Sequence, residues 1–115
     1  MENLTGHEIN IIGKKGEVLF TILPSKKEVP LRANFQKMQG ISKEGYPIVH
    51  IEFFTELSQE RLDELAFTYR EIIVSKITAE ALKAQGYKGA VYITGPKAYS
   101  KSGKLLGVTE LSKYI

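Results

Sequence analysis

Polar and apolar positions change period along the chain, and each change marks an element. Glu71-Ile72-Ile73-Val74 is a short β-branched run, the composition of a buried strand. Ser75 follows, and its hydroxyl can accept from the first-turn amides of a helix, which have no partner further back. Over residues 76–85, apolar Ile77, Ala81, Leu82 and Ala84 return at helical spacing while Lys76, Glu80 and Lys83 stay polar. Gly86 can end that helix in the left-handed conformation, with Tyr87 placed to close a Schellman motif against Leu82. Ala90-Val91-Tyr92-Ile93-Thr94 reads as a second strand, ended by Gly95-Pro96. Strand, helix and strand with short joints predict a βαβ unit with two parallel strands. The rest of the chain is organised around residues 70–96.

Ahead of that unit the period is two. His7, Ile9 and Ile11 share one face of a strand over residues 7–12, and residues 18–23 form a second strand, apolar on both faces. Gly13-Lys14-Lys15-Gly16 between them predicts a hairpin. Val29, Leu31, Ala33 and Phe35 alternate with polar residues, which predicts a half-buried strand with Pro30 near its start. After a loop at residues 40–45, Val49, Ile51 and Phe53 are expected to face inward, opposite His50 and Glu52. Ser58 is placed to cap a short helix carrying Leu62, Leu65 and Ala66 on one stripe. Beyond the βαβ unit, the turn Ser100-Lys101-Ser102-Gly103 predicts a last hairpin over residues 98–108. The sum is an α+β fold over residues 1–115: one domain, two helices and a mixed sheet of about six strands.

Composition narrows the chemistry. Apolar content of 43% and charged content of 25% are ordinary for a globular chain. With no cysteine, disulfides, thiol catalysis and cysteine-type zinc sites are excluded, which fits a reducing cytoplasm. No apolar run is long enough for a membrane-spanning helix, so a cytoplasmic protein is expected. The net charge of +3 is uneven: residues 72–115 carry seven lysines against two acids, residues 50–71 two arginines against six acids. A basic final third could meet phosphate or an acidic partner, or merely solvate loops and helix faces. Only three of the sixteen basic residues are arginine, which weakens a nucleic-acid reading.

Candidate sites are few. His50 and Glu52 share a strand face, but two ligands do not make a metal site, and no third lies nearby in sequence. The glycine–lysine turns lack phosphate-loop spacing. Position is more telling: strands of a βαβ unit point their carboxyl ends the same way, so Ser75, Lys76 and Lys97 are expected to share one edge. Helix N-termini attract anions, and ligands bind at such edges, which makes a small anion a candidate ligand there, although most small βαβ units bind nothing at theirs. No nucleophile, base and orienting group assemble from two histidines and scattered serines, so no catalytic residue, metal or cofactor is expected.

Taken whole, the chain resembles a family of small uncharacterised proteins of phages, prophages and related mobile elements, with archaeal viruses as one candidate source. The residues that carry the resemblance are Asn3-Leu4-Thr5-Gly6-His7, Leu23-Pro24-Ser25, Leu31-Arg32, Gly45-Tyr46-Pro47-Ile48-Val49, Ile73-Val74-Ser75 and Ser102-Gly103-Lys104-Leu105-Leu106-Gly107. The family opens Asn-Leu-Thr-Pro-His, so Gly6 is a departure, as are Lys27 and the added segment 58–67. The resemblance implies a viral or mobile-element origin and marks His7, Ser25 and Arg32 as the matching polar positions. It implies no activity.

The expectation is therefore a small non-enzymatic accessory protein that binds an unknown protein partner. The alternatives are a weak phosphate- or nucleotide-binding domain using the βαβ edge, and non-specific nucleic-acid binding by the basic final third.

Overall fold

Local signals fix where each element starts and stops. In the computed structural model, which describes all residues Met1–Ile115, the order is β1 (Glu2–Asn3), β2 (Ile9–Ile12), β3 (Val18–Ile22), β4 (Asn34–Ile41), β5 (Pro47–Phe54), α1 (Gln59–Thr68), β6 (Glu71–Ile73), α2 (Lys76–Ala84), β7 (Ala90–Thr94), β8 (Lys97–Tyr99), β9 (Leu105–Val108) and β10 (Leu111–Lys113). The fold is α+β, with the expected βαβ unit at β6–α2–β7.

Within that unit β6 and β7 run parallel, with Ile72 opposite Val91 and Ile73 opposite Tyr92. The Ser75 hydroxyl accepts from the Thr78 amide at 3.3 Å and so caps α2. At the far end the Tyr87 amide donates to the Leu82 carbonyl at 2.9 Å and the Gly86 amide to that of Lys83 at 3.1 Å, a Schellman closure. Gly86 has φ 75°, which a side chain would resist. The buried stripe is rotated from the one the apolar spacing predicts. Thr78, Ala79, Ala81 and Leu82 are buried, whereas Ile77 is half-exposed. Thr78 tolerates burial because its hydroxyl accepts from Ser75 and donates to the Leu31 carbonyl.

Two short strands complete this sheet, in the order β1-β6-β7-β10. β1 pairs parallel with β6, and β10 antiparallel with β7. Neither shows a sequence period, because two or three residues cannot display one. The main core gathers here: Leu4, Leu31, Ile72, Val74 and Val91 pack with Leu62 and Leu65 of α1 and Leu82 of α2.

Instead of one sheet of about six strands, there are ten strands in three sheets. The second sheet, β3-β2-β9-β8, contains both expected hairpins. The third is the hairpin β4–β5, eight residues on each strand and paired to no other strand. Its position corrects the expected strand at 29–35. Residues 28–33 run without a ladder, and the Leu31 amide donates to the Leu4 carbonyl instead. Pro30 has no amide to give a ladder there.

The result is flat and open. The molecule measures 52 × 38 × 19 Å, and its radius of gyration is 17.1 Å against about 13 Å for a compact chain of this length. Its surface is 8245 Å², where a compact monomer of this mass exposes about 6,300 Å². Only 18 of 115 residues are buried, and none of them belongs to β4 or β5.

Candidate functional site

The expected anion edge comes first. Ser75 and Lys76 stand together at the start of α2, both exposed. The Ser75 hydroxyl is engaged with Thr78 on both sides, donating to its hydroxyl at 2.9 Å and accepting from its amide. Past the end of β7 the Gly95 amide donates to the Glu110 carbonyl at 2.8 Å, and Pro96 has no amide to offer. Lys97 opens β8 and pairs with Val108, within the second sheet. Lys97 therefore lies in a different sheet from the two strands that α2 connects. The amides that would cradle an anion at Gly95-Pro96 are spent or missing.

His7, Ser25 and Arg32 meet at the N-terminal turn, whose centre is the side chain of Asn3. That side chain is buried, its oxygen accepting from the Thr5 amide at 3.0 Å and the Thr5 hydroxyl at 2.6 Å. Its nitrogen donates to the carbonyls of His7 at 2.7 Å and Ile22 at 3.3 Å. The Ser25 amide donates to the Asn3 carbonyl, while its hydroxyl donates to Glu2 at 2.6 Å and accepts from the Glu28 amide. Arg32 donates to the Thr5 carbonyl at 3.0 Å. His7 contributes backbone only, for its ring is exposed and hydrogen-bonded to nothing. The side chain that organises this turn is that of Asn3, not the His7 imidazole. Gly6 at φ 83° sits within this turn, a conformation closed to proline, which holds φ near −65°.

Beside the turn lies a cleft of about 350 Å³ lined in part by Leu4, Leu31, Arg32, Glu56, Arg61 and Leu65. Of its four charged side chains, Glu28 and Arg61 are paired, Glu56 accepts from Asn34, and Arg32 forms no ion pair. Arg61 pairs with Glu28 at 2.5 Å and Glu64 at 2.8 Å, and Tyr69 donates to Glu28 at 3.1 Å. Burial and the adjacent Glu28 carboxylate raise the Tyr69 phenol above its ordinary range. This network ties segment 28–32 to α1, and the cleft holds no nucleophile paired with a base.

Elsewhere the fold joins two features the sequence keeps at least 84 residues apart. The turn at Lys14-Lys15-Gly16 and the turn at Ser100-Lys101 line one hollow together with Tyr99 and Leu106. Each turn alone is an ordinary hairpin end. Together they place three lysines around one depression, and only the pairing of β2 with β9 could reveal it.

The largest departure from expectation is the β4–β5 hairpin. Register puts Phe35, Lys37, Gln39 and Ile41 on the same face as Phe53, Ile51, Val49 and Pro47. Val49 and Ile51, expected inside, are 55% and 52% exposed, and Phe35 and Ile41 reach 60% and 76%. Alternation tells which residues share a face but not whether anything covers it. At the base of this stripe a groove runs between β5 and α2, lined by Ile51, Glu52, Phe53, Glu80 and Ala84. The edge strand β3 adds Val18, Leu19 and Phe20, each more than half exposed.

No three His, Asp or Glu side chains gather closely enough to hold a metal ion. No helix is long and apolar enough to cross a membrane. Comparison with known proteins adds no assignment: no family model, curated protein or solved structure matches the chain.

Proposed function

We propose that this chain is a non-enzymatic interaction protein that acts by binding protein through apolar surface its own fold leaves open. One observation carries the reading: a surface of 8245 Å², about 1,900 Å² beyond that of a compact chain of equal mass. A standard protein interface takes about 800 Å² from each partner, so the excess suffices for two. The exposed residues are also of interface type, with Phe35, Ile51 and Phe20 among them and few charges between. The resemblance of its opening to small phage and mobile-element proteins supports an accessory role in such an element.

The test is sedimentation of fluorescently tagged chain in extract of the cells that make it. The expected result is a species heavier than the 12.9 kDa chain. Sedimentation as a lone monomer in that extract would sink the reading.

A second reading rests on the paired lysine turns. Lys14, Lys15 and Lys101 around one hollow favour an anionic partner, including the phosphates of nucleic acid. Binding to single- or double-stranded DNA or RNA that falls steeply with salt, and is lost in a Lys14→Ala/Lys15→Ala/Lys101→Ala variant, is the expected sign. Lysines without arginines would give little sequence preference. The βαβ edge supports a phosphate site less well, because its Gly95 amide is already bonded.

A further inference from the structure

We infer that the hollow between the two lysine turns takes single-stranded nucleic acid, with the Tyr99 ring as the platform on which a base stacks. The inference rests on the nucleic-acid reading of those turns and names the state of the strand. Lysines alone would draw any anion. The hollow offers more than lysines. Tyr99 is 57% exposed beside Lys101, and half-buried Leu106 lies with it on the lining. The lysines that sit over aromatic rings are Lys37 on Phe35 and Lys83 on Tyr114, so no lysine covers the Tyr99 face.

Charge and shape agree with that ligand. No carboxylate lines the hollow, and Lys14, Lys15 and Lys101 are exposed and form no ion pair. Glu17, the acid nearest in sequence, is drawn back along its own turn, where it accepts from the Lys15 amide at 3.2 Å. The two hairpins, residues 9–22 and 97–108, carry five lysines against that one acid. The hollow measures about 650 Å³, within the range of about 300–1,000 Å³ usual for small-molecule sites. A single strand offers phosphates and bare base faces in alternation, which match lysines set around an aromatic ring. A duplex keeps its base faces stacked inside, so Tyr99 gains nothing from it.

The experiment is fluorescence anisotropy of the purified chain with a labelled oligothymidylate of about 12 nucleotides, a length suited to such sites. A DNA duplex of equal length and polyglutamate are the comparisons. The single strand should bind at least about fivefold tighter than the duplex, the least that one stacked base contributes. Its affinity should fall with salt at a log–log slope of about −2, as three phosphate contacts require. Tyr99→Leu should lose at least about fivefold on the single strand and nothing on the duplex, while Tyr99→Phe keeps full binding. Because Tyr99→Leu could disturb the β8–β9 hairpin, its duplex affinity is the control, since that depends on the same lysine turns. Loss of duplex binding in Tyr99→Leu overturns the inference, because the ring would then be shaping the turns. Polyglutamate bound as tightly as the single strand overturns it too. Equal affinity for single strand and duplex, untouched by Tyr99→Leu but lost in the Lys14→Ala/Lys15→Ala/Lys101→Ala variant, removes the stacking platform and leaves the phosphate reading standing. Binding to neither nucleic acid removes both.

Discussion

The side chain of Gln85, the cap residue that ends α2, accepts both the amide and the hydroxyl of Thr55, at 3.0 and 2.7 Å. This is the joint between the βαβ unit and the exposed hairpin, and Thr55 is buried in it. Gln85→Ala leaves a buried amide and hydroxyl without a partner, a loss of about 1–3 kcal/mol. Amide exchange should quicken across residues 47–55 more than in β6 or β7. Uniform quickening would mean that the joint holds the whole fold and not the hairpin.

A parallel contrast lies at the N-terminal turn. His7→Ala removes a ring that bonds nothing, so melting should shift by no more than about 0.5 kcal/mol, as for an ordinary surface position. Asn3→Ala strips four hydrogen bonds from a buried turn and should cost about 1–3 kcal/mol. Thermal melts of the two variants decide this. Equal destabilisation would show that the imidazole has a partner in solution.

Tyr87 poses the opposite case. It is 5% exposed, and its hydroxyl is the one buried side-chain polar atom without a hydrogen bond. Burial raises its phenol above the ordinary range. Tyr87→Phe keeps the ring against Leu82 and removes the unsatisfied oxygen, so stability should rise by about 1 kcal/mol. A lower midpoint in denaturant would mean that a buried water serves the hydroxyl.

Most of the fold is legible in residue pattern, and the exceptions share a cause. The cap at Ser75, the stop at Gly86 and the contact of Tyr87 with Leu82 are local, within a dozen residues, and all three are readable. β1 and β10 are too short to show a period. The strand expected near Val29 yields to Pro30 and to the bond between Leu31 and Leu4. The hollow shared by Lys15 and Lys101 depends on how two distant hairpins are laid together, which no spacing encodes. The exposure of Val49 and Ile51 departs furthest from the pattern, since an apolar face looks the same in sequence whether or not its own chain covers it.

Four tyrosines make the last prediction, on alkaline stability. Tyr69 is raised by burial and by Glu28, Tyr87 by burial, Tyr92 by the Glu71 carboxylate beside it and by burial, and Tyr114 by burial and Glu80. Each phenol holds its proton more tightly folded than unfolded, where it titrates near about pH 10. Above that pH the unfolded chain loses protons that the folded chain keeps, so the unfolded state gains. The contribution is therefore complete below about pH 10 and lost as pH rises through the raised folded values. Melting temperature, recorded from pH 8 to 11.5, should hold level and then fall. Removing the Glu28 contact from the set with Tyr69→Phe should make that fall shallower while leaving the neutral plateau in place. A level profile to the highest pH would show that the phenols ionise as freely folded as unfolded, and that Glu28 and Tyr69 are not held together in solution.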